Sequence, residues 1–192
     1  MRFLFSFWLI PSLCLFFIAC GNPKQTETTG DSKVVYSSRI SLPDSVIPIG
    51  KIVYFLSPDC PVCLHYSSKI NQIFDSTQYL GILTEAIYPG KFDSAEKLNE
   101  IIDSLKLKFN GFFTDPANEL VEKYKAVVTP QVFLLDSNDK VIYSGRIDKR
   151  VIKTGVSSLS ADSLDLENAI KSYLSGRPVS PKTTQPFGCF IE

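Results

Sequence analysis

Cys60 and Cys63 close the run Val53-Tyr-Phe-Leu-Ser-Pro-Asp-Cys-Pro-Val-Cys63, between an apolar strand-like segment and a helix-like one. Two cysteines with two residues between them at the first turn of a helix can close a small disulfide, and the helix N-terminus stabilises the thiolate of the first. The chemistry expected is reversible thiol-disulfide exchange, with Cys60 as nucleophile near neutral pH and Cys63, one turn further in, as resolving thiol. Asp59 adds a neighbouring negative charge that should oppose the helix effect, so only a moderate lowering of the Cys60 pKa and a reducing or middling poise are expected. His65, the single histidine of the chain, lies roughly 200° and 140° around a helix from Cys63 and Cys60, which reads as a surface residue rather than a base or a metal ligand.

The elements that must hold this dithiol alternate. Lys51 to Ser57 is apolar with β-branched and aromatic residues, and Pro61 to Phe74 carries apolar groups at helical spacing with Pro61 at the first turn. Tyr79 to Tyr88 reads as a strand, Ser94 to Leu105 as an amphipathic helix, Gly111 to Thr114 as a short strand and Ala117 to Tyr124 as a helix. Val132 to Leu135 and Val141 to Ser144 flank the polar turn Asp136-Ser-Asn-Asp-Lys140, a hairpin pattern, and Asp162 to Leu174 reads as a closing helix with a capping residue. Strands and helices in alternation, then a hairpin and a helix, predict an α/β fold with a central mixed sheet and helices on both faces, the dithiol just past the C-terminal end of a strand.

The start of the chain sets the compartment. Arg2, then an apolar run interrupted by Pro11, then Phe17-Ile18-Ala19-Cys20-Gly21, reads as an export signal, too short and too evenly apolar for a spanning or core helix. Ala19-Cys20 resembles the lipobox of bacterial lipoproteins, although Phe17 stands where Leu is usual. The organisation expected is a lipoprotein signal peptide over 1–19, a lipidated Cys20 and flexible polar tether over 20–33, and one domain over 34–192. Of five cysteines, three then remain in the folded domain, in a location that permits disulfides. Acidic and basic residues number 20 each and are scattered, which gives no field to attract nucleic acid.

These residues together resemble the thioredoxin superfamily, in particular its exported redoxin branch of thioredoxin-like lipoproteins and alkyl hydroperoxide reductase/thiol-specific antioxidant-like domains. The resemblance covers about residues 45 to 192 and has three parts. These are the strand-CxxC-helix unit, Val127-Val128-Thr129-Pro130-Gln131-Val132-Phe133, and Tyr143-Ser-Gly-Arg-Ile-Asp148 together with Gly188-Cys189-Phe190-Ile191. It implies a thioredoxin-like fold, a cis Pro130 facing the dithiol, and substrate contact through Thr129, Pro130 and Pro61. No cofactor or metal is implied. The partners implied are disulfide-bearing exported proteins, a membrane or periplasmic electron donor, and the membrane itself through a lipid anchor, with the domain facing the periplasm or exterior of a bacterial cell.

Where this family often keeps a buried acid six residues before the first cysteine, Tyr54 stands instead, and Glu85 is read as solvent-exposed rather than as a substitute. A peroxidase alternative finds Ser57 at the Thr/Ser position, but Val53 where proline is needed; Arg146 could serve as its arginine, or pair with Asp148. A copper-delivery alternative would use the two thiolates with Cys189 as a third. Flanked by Phe187, Phe190 and Ile191, Cys189 reads instead as a small buried apolar residue.

Overall fold

Gly50–Phe55 contains one charge, Lys51, among apolar residues, and burial on both faces makes it the centre of the sheet. The computed structural model describes residues 36–38, 40–90, 99–100, 102–103, 106–149, 152–153, 156–157 and 163–192. In chain order the described elements are β1 (Tyr36–Ser38), β2 (Gly50–Phe55), α1 (Pro61–Thr77), β3 (Ile82–Pro89), β4 (Gly111–Asp115), α2 (Glu119–Tyr124), β5 (Val128–Thr129), β6 (Gln131–Asp136), β7 (Val141–Gly145), β8 (Ile152–Lys153), β9 (Val156–Ser157), α3 (Asp165–Leu174) and β10 (Cys189–Phe190). The signal and tether expected over residues 1–33, and most of the helix expected over Ser94–Leu105, lie outside the described residues; 99–100 and 102–103 are helical.

Six strands form the main sheet in the order β1-β4-β3-β2-β6-β7. β2 pairs parallel with β3 and antiparallel with β6, β3 pairs parallel with β4, and β1 and β7 close the two edges antiparallel. The mixed sheet expected from the sequence is therefore present. On one face α1 and α3 pack on Ile52, Tyr54, Ala86, Tyr88, Val132 and Leu134. On the other, α2 supplies Leu120, Val121 and Tyr124 against Val53, Phe55, Ile87 and Phe133. Side chains of β2 alternate between these clusters, as the period of two requires.

α1 buries Cys63, Tyr66, Ile70, Ile73, Phe74 and Thr77, a stripe at spacings of three and four, which carries the helix one turn beyond the sequence expectation. β3 begins at Ile82 rather than Tyr79, because Gln78–Leu80 is a 3-10 turn and Gly81 follows at φ 77; only glycine takes that conformation readily. α3 begins at Asp165 with Leu164 as N-cap and no side-chain cap, so the expected capping residue is not what starts it. Instead its first turn is tied to the Tyr143–Asp148 segment, where Gly145 at φ 144 brings the backbone so close to Thr184 that an added Cβ would lie 2.2 Å from its hydroxyl.

Candidate functional site

Cys60 is the N-cap residue of α1, extended at φ −87 and ψ 112, and its carbonyl accepts the first helical bond from Leu64 N–H at 3.2 Å. Pro61 fits at the next position because that residue has no intrahelical N–H bond to lose. Cys63 is then one turn inside, packed in the core beneath α1. The Ser57 N–H points at its sulfur, 3.5 Å away.

Opposite the helix, the Thr129–Pro130 peptide bond is cis, as the resemblance implies. The Cys60 thiol donates to the Thr129 carbonyl at 3.1 Å, across 69 residues of sequence. The structure thus brings Cys60, Cys63, Thr129 and Pro130 together. Ser57, Asp59, Cys60, Pro89, Gly90, Thr129 and the segment Cys189–Glu192 line a cavity of about 350 Å³ over the nucleophile. Pro61 is exposed on the first turn of α1 and is not among the lining residues.

Cys189 corrects the sequence reading. It is half-buried and packs against the α1-side core cluster, as expected in part, but Phe190 beside it is 83 % exposed and Phe187 55 % exposed. β10 also pairs antiparallel with β5, with Cys189 opposite Thr129, so that Cys189 and Cys60 line the same cavity. Gly188 makes that approach feasible, since a Cβ there would lie 2.1 Å from the Thr129 carbonyl oxygen. A glycine directly before a cysteine was the available signal of a close backbone approach.

Thiol donation from Cys63 and then from Cys189 holds the Cys60 pKa below the ordinary thiol value, against the cost of burial. The Thr129 carbonyl favours the protonated form, but two donors together with the helix N-terminus outweigh one acceptor. Burial pushes Cys63 up, with its bond to Cys60 adding to the shift. Burial, then Cys60, likewise pushes Cys189 up. Asp59 is exposed at the cavity rim and is not among the groups that set Cys60, contrary to the expected opposition. The alkylation rate of Cys60 should therefore titrate below the ordinary thiol value, and Cys63→Ala, which removes the largest donor, should move the midpoint up. An unmoved midpoint would show that Cys63 is not the donor. The sign for stability follows from the lowered value. The Cys60 thiolate contributes to the stability of the reduced protein fully above the ordinary thiol pKa, and this contribution is lost as pH falls through the lowered one.

The other flagged residues lie elsewhere. Arg146 does not pair with Asp148; its Nε bonds Asp165 Oδ2 at 2.6 Å, while Asp148 accepts the Tyr66 hydroxyl at 2.6 Å. Arg146 is also absent from the cavity lining. Glu85 is not simply exposed, since its side chain is 17 % accessible and 3.5 Å from Lys51. It also alternates with Ala86, which packs under α1, so it faces the opposite side of the sheet from Cys63. Tyr54 is wholly buried, its hydroxyl without a hydrogen-bond partner among the described residues. His65 is exposed and its ring packs against Tyr66. No group of three His, Cys, Asp or Glu among the described residues is arranged to hold a metal ion.

No protein-family model matches the chain, and no curated protein matches it. Solved structures do. An uncharacterised conserved protein from Geobacillus kaustophilus is 19 % identical with a TM-score of 0.66, covering 83 % of this chain and 96 % of its own. A hypothetical protein from Sinorhizobium meliloti is 21 % identical with a TM-score of 0.64, covering 81 % and 96 %. A thioredoxin-like protein solved in its oxidised form is 15 % identical with a TM-score of 0.53, covering 79 % and 94 %. With the mixed sheet, the helices on both its faces and the cis proline opposite a helix-capping cysteine, these likenesses give the conclusion that the chain has the thioredoxin-like fold.

Proposed function

We propose that the protein is a thiol-disulfide oxidoreductase of the bacterial cell envelope, tethered through a lipidated Cys20 and acting on disulfides of exported proteins. Cys60 is its nucleophile and Cys63 its resolving thiol. The observation that carries this reading is the position of Cys60, capping α1 with its sulfur 3.1 Å from the carbonyl that precedes cis Pro130. A solved structure of a candidate thiol:disulfide interchange protein, DsbE, from Chlorobium tepidum shares the fold at a TM-score of 0.51 and 18 % identity, which agrees with the reading at the level of fold. The tether rests on the sequence alone, on Ala19-Cys20 and the polar stretch behind it.

In the reduced form the Cys60 thiolate attacks a substrate disulfide, and a mixed disulfide forms as one substrate thiolate leaves. Cys63 then attacks Cys60, the Cys60–Cys63 disulfide closes, and the second substrate thiolate is released. The Thr129–Pro130 step presents backbone to an incoming extended strand, and the electron donor would reopen the disulfide from the same side.

Equilibrating the full chain across a series of thiol-disulfide buffers, with the bonded cysteines mapped by mass spectrometry, tests the reading. A Cys60–Cys63 disulfide that forms and opens reversibly is expected. If the pair never closes at any ratio, the dithiol mechanism fails.

A further inference from the structure

A nucleophile that attacks other proteins must be reachable, yet Cys60 is 2 % exposed. What lies over it is β10. Its pairing with β5 occupies the backbone edge just before Pro130, the edge on which the proposed mechanism would seat a substrate strand. The register sets Cys189 opposite Thr129, whose carbonyl is the acceptor for Cys60. The ladder continues with Ile191 N–H donating to the Val127 carbonyl at 3.1 Å, and Asn118 Nδ2 donating to the Glu192 carbonyl at 3.0 Å. Ile191 is half-buried against the α2-side cluster, whereas Phe187 and Phe190 are exposed. The segment is thus held by backbone bonds, the Asn118 side-chain bond and the packing of Cys189 and Ile191, while its two large aromatics stay in solvent.

From this placement we propose that β10 is a built-in substrate mimic and that Cys189 is a third redox thiol, which exchanges with the Cys60–Cys63 disulfide to give Cys60–Cys189. The step conserves oxidation state and needs no outside oxidant. The Cys189 thiolate attacks Sγ of Cys60, the Cys60–Cys63 bond breaks, and Cys63 leaves as a thiolate that takes up the proton Cys189 gave up. Cys189 stands opposite Thr129, whose carbonyl lies 3.1 Å from Cys60 Sγ, and both cysteines line the same cavity, so the two sulfurs are placed for exchange. Closure of Cys60 into a disulfide also removes the neighbouring charge that helps hold Cys189 protonated in the reduced state. In the Cys60–Cys189 form β10 is locked on β5 and the substrate edge is closed; attack by Cys63 on Cys60 reverses it.

This inference rests on the reading of Cys60 and Cys63 as an exchanging pair, and its test separates the two. The full chain carrying Cys63→Ser is treated with oxidised glutathione, quenched in acid and mapped by mass spectrometry. Glutathione first bonded to Cys60 should be displaced by Cys189, leaving a Cys60–Cys189 linkage, and it should disappear at least about tenfold faster than in the Cys63→Ser, Cys189→Ser double variant, because the attack is intramolecular. Glutathione that persists equally on Cys60 in both variants overturns the proposal. Should Cys63→Ser fail to fold, the same linked peptide is sought in the wild-type chain quenched at intermediate redox ratios, where its presence supports the proposal and its absence overturns it. A wild-type chain that closes Cys60–Cys63 but never Cys60–Cys189 defeats this inference alone; one that closes neither defeats the oxidoreductase reading.

Discussion

Replacing Cys60 by serine lowers the rate of protein-disulfide reduction by at least about three orders of magnitude, because the hydroxyl is not ionised near neutral pH and burial raises the pKa of both remaining thiols of the site, Cys63 and Cys189. Cys63 is buried beneath α1 with its pKa raised mainly by that burial, so it cannot make the first attack. Cys63→Ser should behave differently, retaining one round of attack and then stopping with Cys60 in a covalent link. The contrast is read from the thiol released per protein in a pre-steady-state experiment: no burst for Cys60→Ser, and for Cys63→Ser about one equivalent on attack followed by about a second as Cys189 displaces the bound half. Equal bursts from both variants would show that Cys60 is not the attacking sulfur.

The second large effect falls on stability. Arg146 bonds Asp165, whose side chain is only 6 % accessible and whose other oxygen accepts the Ser163 hydroxyl at 2.8 Å. Arg146→Ala leaves that carboxylate buried with one partner, and should cost about 2–3 kcal/mol of folding free energy, toward the lower end for a broken buried pair because Arg146 is itself partly exposed. Chemical denaturation of the reduced protein measures it. Disulfide exchange, in contrast, should stay within about twofold of wild type, since the guanidinium is occupied at the start of α3 and does not line the cavity. Loss of peroxide or disulfide turnover without loss of stability would instead put Arg146 in the site, and would revive the peroxidase alternative.

What the sequence revealed follows the range over which its signals act. The β2-α1-β3 unit was legible because apolar runs, helical spacing and Pro61 act within a few residues. Thr129-Pro130 was legible only through a resemblance, since nothing local says what a proline will face. The pairings were not legible. Arg146 stands two residues from Asp148, yet each took a partner from α3 or α1 instead. Glu85 lies within an apolar strand, and its partner Lys51 is on the adjacent strand, visible only once the β2–β3 register is known. Cys189 shows the same limit most sharply. Its aromatic and aliphatic neighbours suggest a core position, but two of them face solvent, and the residue that explains its placement is the small one before it, Gly188, closing on a carbonyl 59 positions away in the chain.

β7 is the outermost strand on its side of the sheet, and the chain does not leave it bare. Ser144 N–H donates to the Lys182 carbonyl at 2.9 Å and Thr184 N–H donates to the Ser144 carbonyl at 3.0 Å, so a stretch of backbone is stitched along it before running on to β10. An uncovered edge invites pairing with another chain and aggregation. The two fastenings are separate, at Thr184 and at Cys189, so β10 can peel from β5 while the stitch at Ser144 holds. The molecule can therefore bare its reactive sulfur and the two-residue β5 edge while the longer edge at β7 stays covered, and solubility does not have to be surrendered each time the thiol is put to use.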